Sequence, residues 1–260
     1  MIELASHTEG APSARLVVLL HGILGSERNW RSFARAFCRV RPDLRLWTPD
    51  LRGHGSSPAG EAPHSIDACV ADLAYALAAQ GDEPVTVIGH SFGGKVALQL
   101  GAVLRVPPQV WVLDSDPRPR VRDGGSQVLA VIERARRVPM PVANREQALA
   151  PFADLGPSIQ GWMSTNLKRG EGGLRWRFDL DVVMALLADF GARDATLLLP
   201  SLSGRVHFVW GESGVLPTGP SLPSLQAAQH HMLRGAGHWV HVDRGDLLLE
   251  LLSAGIPRVG

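Results

Sequence analysis

Short apolar runs of strand length recur through the first half of the chain, and between them the apolar positions change to helical spacing. Arg15 to Leu20 (RLVVLL), Val85 to Ile88 and Val110 to Leu113 are nearly continuous in apolar character, and Leu44 to Pro49 is another short run of strand length. Runs without alternation predict strands buried on both faces of a parallel sheet. Trp30, Phe33, Ala34 and Phe37, and later Ile66, Val70, Leu73, Ala74 and Leu77, recur every three or four residues. That period predicts helices with one buried face over residues 29–37 and 65–79, and a third follows Val85–Ile88 to about Val103. Ile2 to Ser6 predicts a short edge strand. Strands alternating with helices predict an α/β fold with a mostly parallel twisted sheet flanked by helices.

The pattern breaks at Asp116-Pro117-Arg118-Pro119-Arg120. The next eighty or so residues predict helices over Gln127–Arg137, Arg145–Phe152, Ile159–Leu167 and Leu180–Phe190, with no strand among them. Alternation resumes with a strand at Val206–Trp210, a helix around Ser224–Gln229, a short strand at Met232–Leu233 and a last helix from Gly245 to Leu252. The expected organisation is a core of residues 1–115 and 197–260, with a helical cap, 116–196, inserted after the strand that ends at Asp114.

Composition narrows this reading without redirecting it. The chain has 260 residues, 45% hydrophobic and 20% charged, with a net charge of +1, which gives no reason to invoke nucleic acid or an anionic membrane. No apolar run approaches the ~18 residues of a spanning helix. The opening MIELASHTEG lacks the basic-then-apolar pattern of a secretory signal, so a cytoplasmic location is expected. Cys38 and Cys69 fall in separate helical patterns and read as buried reduced thiols. A monomer or homodimer is expected.

The chemistry centres on Gly89-His90-Ser91-Phe92-Gly93, which follows a predicted strand and opens a helix. It matches G-x-S-x-G, a turn in which small residues let a strained serine project from the end of a strand. Ser91 is therefore the candidate nucleophile. Gly89 to Lys95 also satisfies most of a phosphate-binding loop, with Asp114 as its acidic strand end. Val96, however, stands where such a loop needs the hydroxyl that ligates magnesium.

A serine needs a base to take its proton and an acid to steady that base. His238, in the loop Gly235-Ala236-Gly237-His238-Trp239, is the candidate base, with His241 its rival. The candidate acid is Asp114, which leaves the rigid end of VWVL; Asp116 and Glu212 are reserves. A growing oxyanion needs fixed donors, and the backbone N–H groups of Phe92 and Ile23, with Leu24 as the weaker alternative, are suited to that. His21, Arg52, His54 and His90 read as braces for their loops. An apolar substrate pocket is expected from Ile23, Leu24 and Phe92, with Trp162, Met163, Trp176, Phe178, Val215, Leu216 and Trp239 added by the cap and the late loops. No convergent set of acidic or cysteine ligands accompanies the histidines, so neither metal nor cofactor is expected.

These residues resemble a known superfamily. His21-Gly22-Ile23-Leu24-Gly25-Ser26, Asp50-x-Arg52-Gly53-His54-Gly55-x-Ser57, Gly89 to Lys95 and Gly235 to Trp239 are together similar to the α/β hydrolases. Three shorter features, Gly93-Gly94-Lys95, Asp114 followed by Pro117, and Leu174-Arg175-Trp176-Arg177-Phe178-Asp179-Leu180, resemble the subgroup of α/β-hydrolase domain protein eleven and its small bacterial esterase relatives. The resemblance implies a serine esterase or thioesterase with a helical lid, acting on short- to medium-chain acyl esters, with its triad acid in the loop holding Asp114. The chain departs from the pattern in loop 211–216, where relatives often keep an aspartate and this chain has Gly214. A C–C bond hydrolase, a perhydrolase, a lyase, or a slow-turnover receptor for a small ligand would use the same frame.

Overall fold

The computed structural model describes residues 1–119, 127–215 and 223–258. In chain order, β1 (Ser6–Glu9), β2 (Arg15–Leu20), α1 (Arg31–Val40), β3 (Leu44–Pro49), α2 (Ile66–Gln80), β4 (Thr86–His90), α3 (Phe92–Val103) and β5 (Gln109–Leu113) come first. The stretch after β5 holds α4 (Gln127–Arg136), α5 (Arg145–Leu149), α6 (Pro157–Thr165), the strands β6 (Leu167–Gly170) and β7 (Gly173–Trp176), and α7 (Leu180–Ala192). The chain then returns through β8 (Val206–Gly211), a short α8 (Pro223–Gln226), β9 (Gln229–Leu233), the single turn α9 (Val240–Asp243) and α10 (Gly245–Gly255).

Seven strands form one sheet in the order β1-β3-β2-β4-β5-β8-β9. Only β1 runs antiparallel to its neighbour. The apolar runs make sense in that setting, because side chains along a strand point alternately to its two faces. From β2, Val18 and Leu20 join the core that also takes α2, α3 and the 127–192 stretch, while Val17 and Leu19 join the core under α1 and α10. Helix α2 starts where the Ser65 side chain accepts from Ala68 N and ends at Gly81 in the left-handed region, the residue types that close helix ends.

The strand order fixes where a ligand can sit. From β2 the chain moves outward to β3, then crosses back so that β4 lies on the other side of β2. The loops leaving β2 and β4 therefore part in opposite directions, opening a crevice beyond the strands' C-terminal ends. The His21–Ser26 turn and Ser91 flank that crevice.

Three expectations need correction. The stretch after β5 is not purely helical: β6 and β7 pair antiparallel from Leu167↔Trp176 to Gly170↔Gly173, because α6 stops at Thr165 and the chain reverses at Glu171-Gly172. The edge strand spans Ser6–Glu9 rather than 2–6, since Leu4 turns into the core and pairing with β3 starts at Ser6↔Pro49. The segment before the late loop is mainly strand, β9, with only one helical turn ahead of it.

Lys95 joins this stretch to the sheet. It lies on α3 with 1% exposure, and its Nζ donates to the carbonyls of Arg118 (2.8 Å), Phe190 (2.9 Å) and Arg193 (2.7 Å). A lysine has three donors and no acceptor, so three carbonyls match it. Arg118 stands at the start of the stretch, and Phe190 and Arg193 at its end. Both connections are thus held against the helix that follows Ser91.

Candidate active site

Ser91 sits between β4 and α3 at φ 52°, ψ −115°, with its N–H donating to Leu113 O at 2.9 Å. A non-glycine residue at positive φ is strained. The surrounding backbone forces it here: a Cβ on Gly89 would lie 2.0 Å from Gly93 O, and one on Gly93 would lie 2.6 Å from His21 O. Only small residues let the strand, the turn and the His21 loop approach so closely. Phe92 is the first residue of α3, whose leading N–H groups have no partner within the helix and carry its positive dipole end.

Asp114 is also at positive φ, 47°, and has no exposed surface. Its Oδ1 accepts from Gly211 N at 2.9 Å, and its Oδ2 accepts from Val215 N at 2.9 Å and from His238 Nδ1 at 2.7 Å. The carboxylate is thus fixed by two backbone donors of the loop after β8 and presents Oδ2 to the imidazole. That bond fixes His238 as the Nδ1–H tautomer and leaves Nε2 as the acceptor of the ring. The two reserve acids are engaged elsewhere. Asp116 pairs with Arg118 through contacts of 2.7–3.2 Å, and exposed Glu212 accepts from Gly235 N at 2.8 Å.

Gly214 explains the departure from the family pattern. A Cβ built there would lie 2.3 Å from Oδ1 and 2.6 Å from Oδ2 of Asp114. The carboxylate from β5 fills the space that a side chain at 214 would need.

His238 and Ser91 are tied through His90. His90 Nε2 donates to the His238 carbonyl at 2.8 Å, and the two rings are 4.8 Å apart. Among the described residues no hydrogen bond joins Ser91 Oγ to His238. Catalytic contacts in a resting site are often long and tighten around substrate. His241, the rival base, is enclosed between Trp30 (4.2 Å) and His90 (5.0 Å), and burial pushes its pKa down to about 3. It is not positioned to exchange protons with a substrate.

In the turn after β2, Leu24 N donates to His54 Nε2 at 3.1 Å, which engages the weaker of the two candidate anion donors expected from that turn. His54 Nδ1 donates to Arg52 O (2.9 Å), His21 Nδ1 donates to Gly22 O (2.8 Å), and His21 Nε2 accepts from Leu51 N (3.0 Å). Arg52 is held by Asp72 at 2.8 Å. These side chains brace the loops.

The pocket residues expected from the cap and the late loops do not gather in one place. Trp162 of α6 meets Trp239 at 5.6 Å, and Trp239 lies 6.0 Å from the His238 ring. Val215 touches the site through its backbone. Met163, with no exposed surface, lies in the packing between α6 and its neighbours, and Trp176 donates Nε1 to Ala135 O and stacks on Phe178 at 5.5 Å. Leu216 lies outside the described residues.

The buried histidines give the fold an acid limit. Burial lowers His21 and His207 to about 4, His54 and His241 to about 3, and His90 well below its ordinary value. Between those values and about 6.5 the unfolded chain binds more protons than the folded one, so stability is complete above about pH 6.5 and falls as pH drops toward 3–4. Denaturant midpoints should fall from pH 7.5 to pH 5; an unchanged midpoint would contradict five neutral histidines.

Comparison with known proteins agrees with this geometry. The sequence model of the alpha/beta hydrolase family matches residues 17–251. The sn-1-specific diacylglycerol lipase ABHD11 of Xenopus laevis is 30% identical over 242 residues, 88% of this chain and 75% of that protein. Lipase LipV of Mycobacterium tuberculosis is 34% identical over 203 residues, 76% of this chain and 74% of its own. Among solved structures, a marine microorganism esterase superposes with a TM-score of 0.81 at 23% identity, covering 96% of this chain and 98% of that one.

Proposed function

Because the chain belongs to the alpha/beta hydrolase family and is a carboxylic ester hydrolase, we propose that it cleaves short- to medium-chain acyl esters or thioesters through an acyl-enzyme on Ser91. The observation that carries this is the 2.7 Å contact between His238 Nδ1 and fully buried Asp114. The two residues are 124 apart in sequence, and the His238 backbone is tied by His90 to the turn that carries Ser91.

In this reading Ser91 Oγ attacks the acyl carbonyl and its proton passes to His238 Nε2. Asp114 stabilises the imidazolium so formed. The oxyanion rests on the N–H groups of Ile23 and Phe92, donors already fixed before the reaction. His238 returns the proton to the leaving alcohol or thiol, and the acyl group stays on Ser91. A water, deprotonated by His238, then releases the acid. No cofactor or metal is required. Residues 116–196 form the cap, and Trp162 and Trp239 line the acyl pocket beside the base.

A series of p-nitrophenyl esters of increasing chain length tests this. The expected result is a burst of nitrophenol followed by turnover, falling off for long chains. Ligand-induced melting shifts without turnover would instead mark a receptor on the same frame. Gly214→Ala is expected to push the Asp114 carboxylate aside and lower kcat by roughly 10²-fold, the scale of a ~1 Å misplacement. An unaltered kcat would contradict the role given to Asp114.

A further inference from the structure

The Arg177 guanidinium plays no part in the mechanism above, yet it sits in an unusual position. The side chain is half-buried: its Nε is enclosed without a hydrogen-bond partner, and among the described residues the side chain makes no hydrogen bond or ion pair. Buried donors are nearly always satisfied, so an unmet one points to a partner that binds there.

The nearby carboxylates are engaged elsewhere, and none forms an ion pair with Arg177 among the described residues: Asp179 accepts from Asp181 N (2.9 Å) and Val182 N (3.1 Å) at the start of α7. Glu27 is engaged by Arg31, with contacts of 2.5 and 2.7 Å, and has Arg28 at 3.8 Å. Asp50 accepts from Glu27 N (2.7 Å) and Ser56 N (2.8 Å). Partial burial of Arg177, and after it the positive charges of Arg28 and Arg31, hold its pKa below the usual guanidinium value, against the opposing pull of Asp50 and Glu27.

Arg177 lines a cavity of about 260 Å³, together with Lys168, Gly53, Gly55, Phe178 and Asp179, whose carboxylate is taken up by the first N–H groups of α7. Lys168 Nζ gives one donor to Gly55 O at 3.1 Å, leaving further donors on a cationic group. The cavity adjoins the oxyanion turn: His54 pairs its backbone with Phe178 and accepts from Leu24 N.

We propose that this seam between the 53–59 loop and residues 168–179 is an anion-binding site, where Arg177 with Lys168 holds a carboxylate or phosphate group. The planar guanidinium fork matches either group in two-point contact. The anion is either a charged group on the ester substrate, a case that rests on the ester-hydrolase reading, or a free anion, which does not.

Two measurements on the full chain separate these sources. Methyl butyrate and monomethyl glutarate are hydrolysed in a pH-stat, and melting is followed with inorganic phosphate or glutarate against chloride at equal ionic strength. For a substrate group, Arg177→Gln raises KM for the charged ester by roughly tenfold or more, while the neutral ester stays within about twofold. For a free anion, phosphate or glutarate raises the melting temperature of the wild type but not of Arg177→Gln, and the ester ratio is unchanged. Arg177→Lys keeps part of either effect, and exposed Arg169→Gln leaves both intact. Should the wild type cleave neither ester while the melting shift still depends on Arg177, the site stands and the ester reading falls. The inference is overturned if Arg177→Gln alters neither the charged-to-neutral ratio nor the melting shift, or if Arg169→Gln matches it in both.

Discussion

Ser91→Ala is expected to leave the fold intact and to lower kcat for ester hydrolysis by up to roughly 10⁶-fold, the scale seen when a triad serine is removed. The substitution deletes one hydroxyl and keeps a Cβ at the same positive φ, so the strain of the turn is unchanged. The proposed donors at Ile23 and Phe92 are backbone groups that the substitution leaves in place, and any residual rate over water reports what they contribute alone. Steady-state turnover of p-nitrophenyl butyrate, with thermal melting as the folding control, is the measurement. An alanine variant retaining a tenth of wild-type activity would show that another nucleophile is at work.

Asp114→Asn is expected to cost up to roughly 10⁴-fold in kcat, by analogy with triad acids of serine proteases. The carboxylate accepts from three donors, and an amide can supply only one accepting oxygen in its place. With its NH₂ toward His238, the amide would drive the ring to the other tautomer and block the base. With its NH₂ toward Gly211 N, it would set two donors against each other and still lack the charge that stabilises the imidazolium. Either arrangement buries an unmet donor, which costs about 1–3 kcal/mol of stability, so a lower melting temperature should accompany the loss of rate. Glu212→Gln, at an exposed position, should leave kcat within about twofold. A near-normal Asp114→Asn beside an inactive Glu212→Gln would move the acid to the loop after β8.

The features legible in the sequence share a physical reason. Ser91 and Asp114 directly follow short apolar strands and His238 follows Gly237 in the loop after β9, and residues beyond the same ends of parallel strands can converge. The departure at Gly214 was visible as well, but its cause lay in tertiary contact: the carboxylate of residue 114 fills the gap. The β6–β7 hairpin escaped because each strand has four residues, too few for periodicity to tell from a helix end. The bond from His90 to the His238 carbonyl and the three carbonyls around Lys95 join segments distant in sequence, which no local pattern encodes. Arg177 reads as one more surface arginine until its buried, unmatched Nε is seen.

Everything turns on one activated hydroxyl, and a fluorophosphonate probe reports it directly. After incubation, intact mass and peptide mapping should find a single adduct on the peptide bearing Ser91. The adduct should be absent in Ser91→Ala and slowed by orders of magnitude in His238→Ala. An unmodified Ser91 in a folded, ester-hydrolysing protein, or an adduct on another residue, would contradict the account.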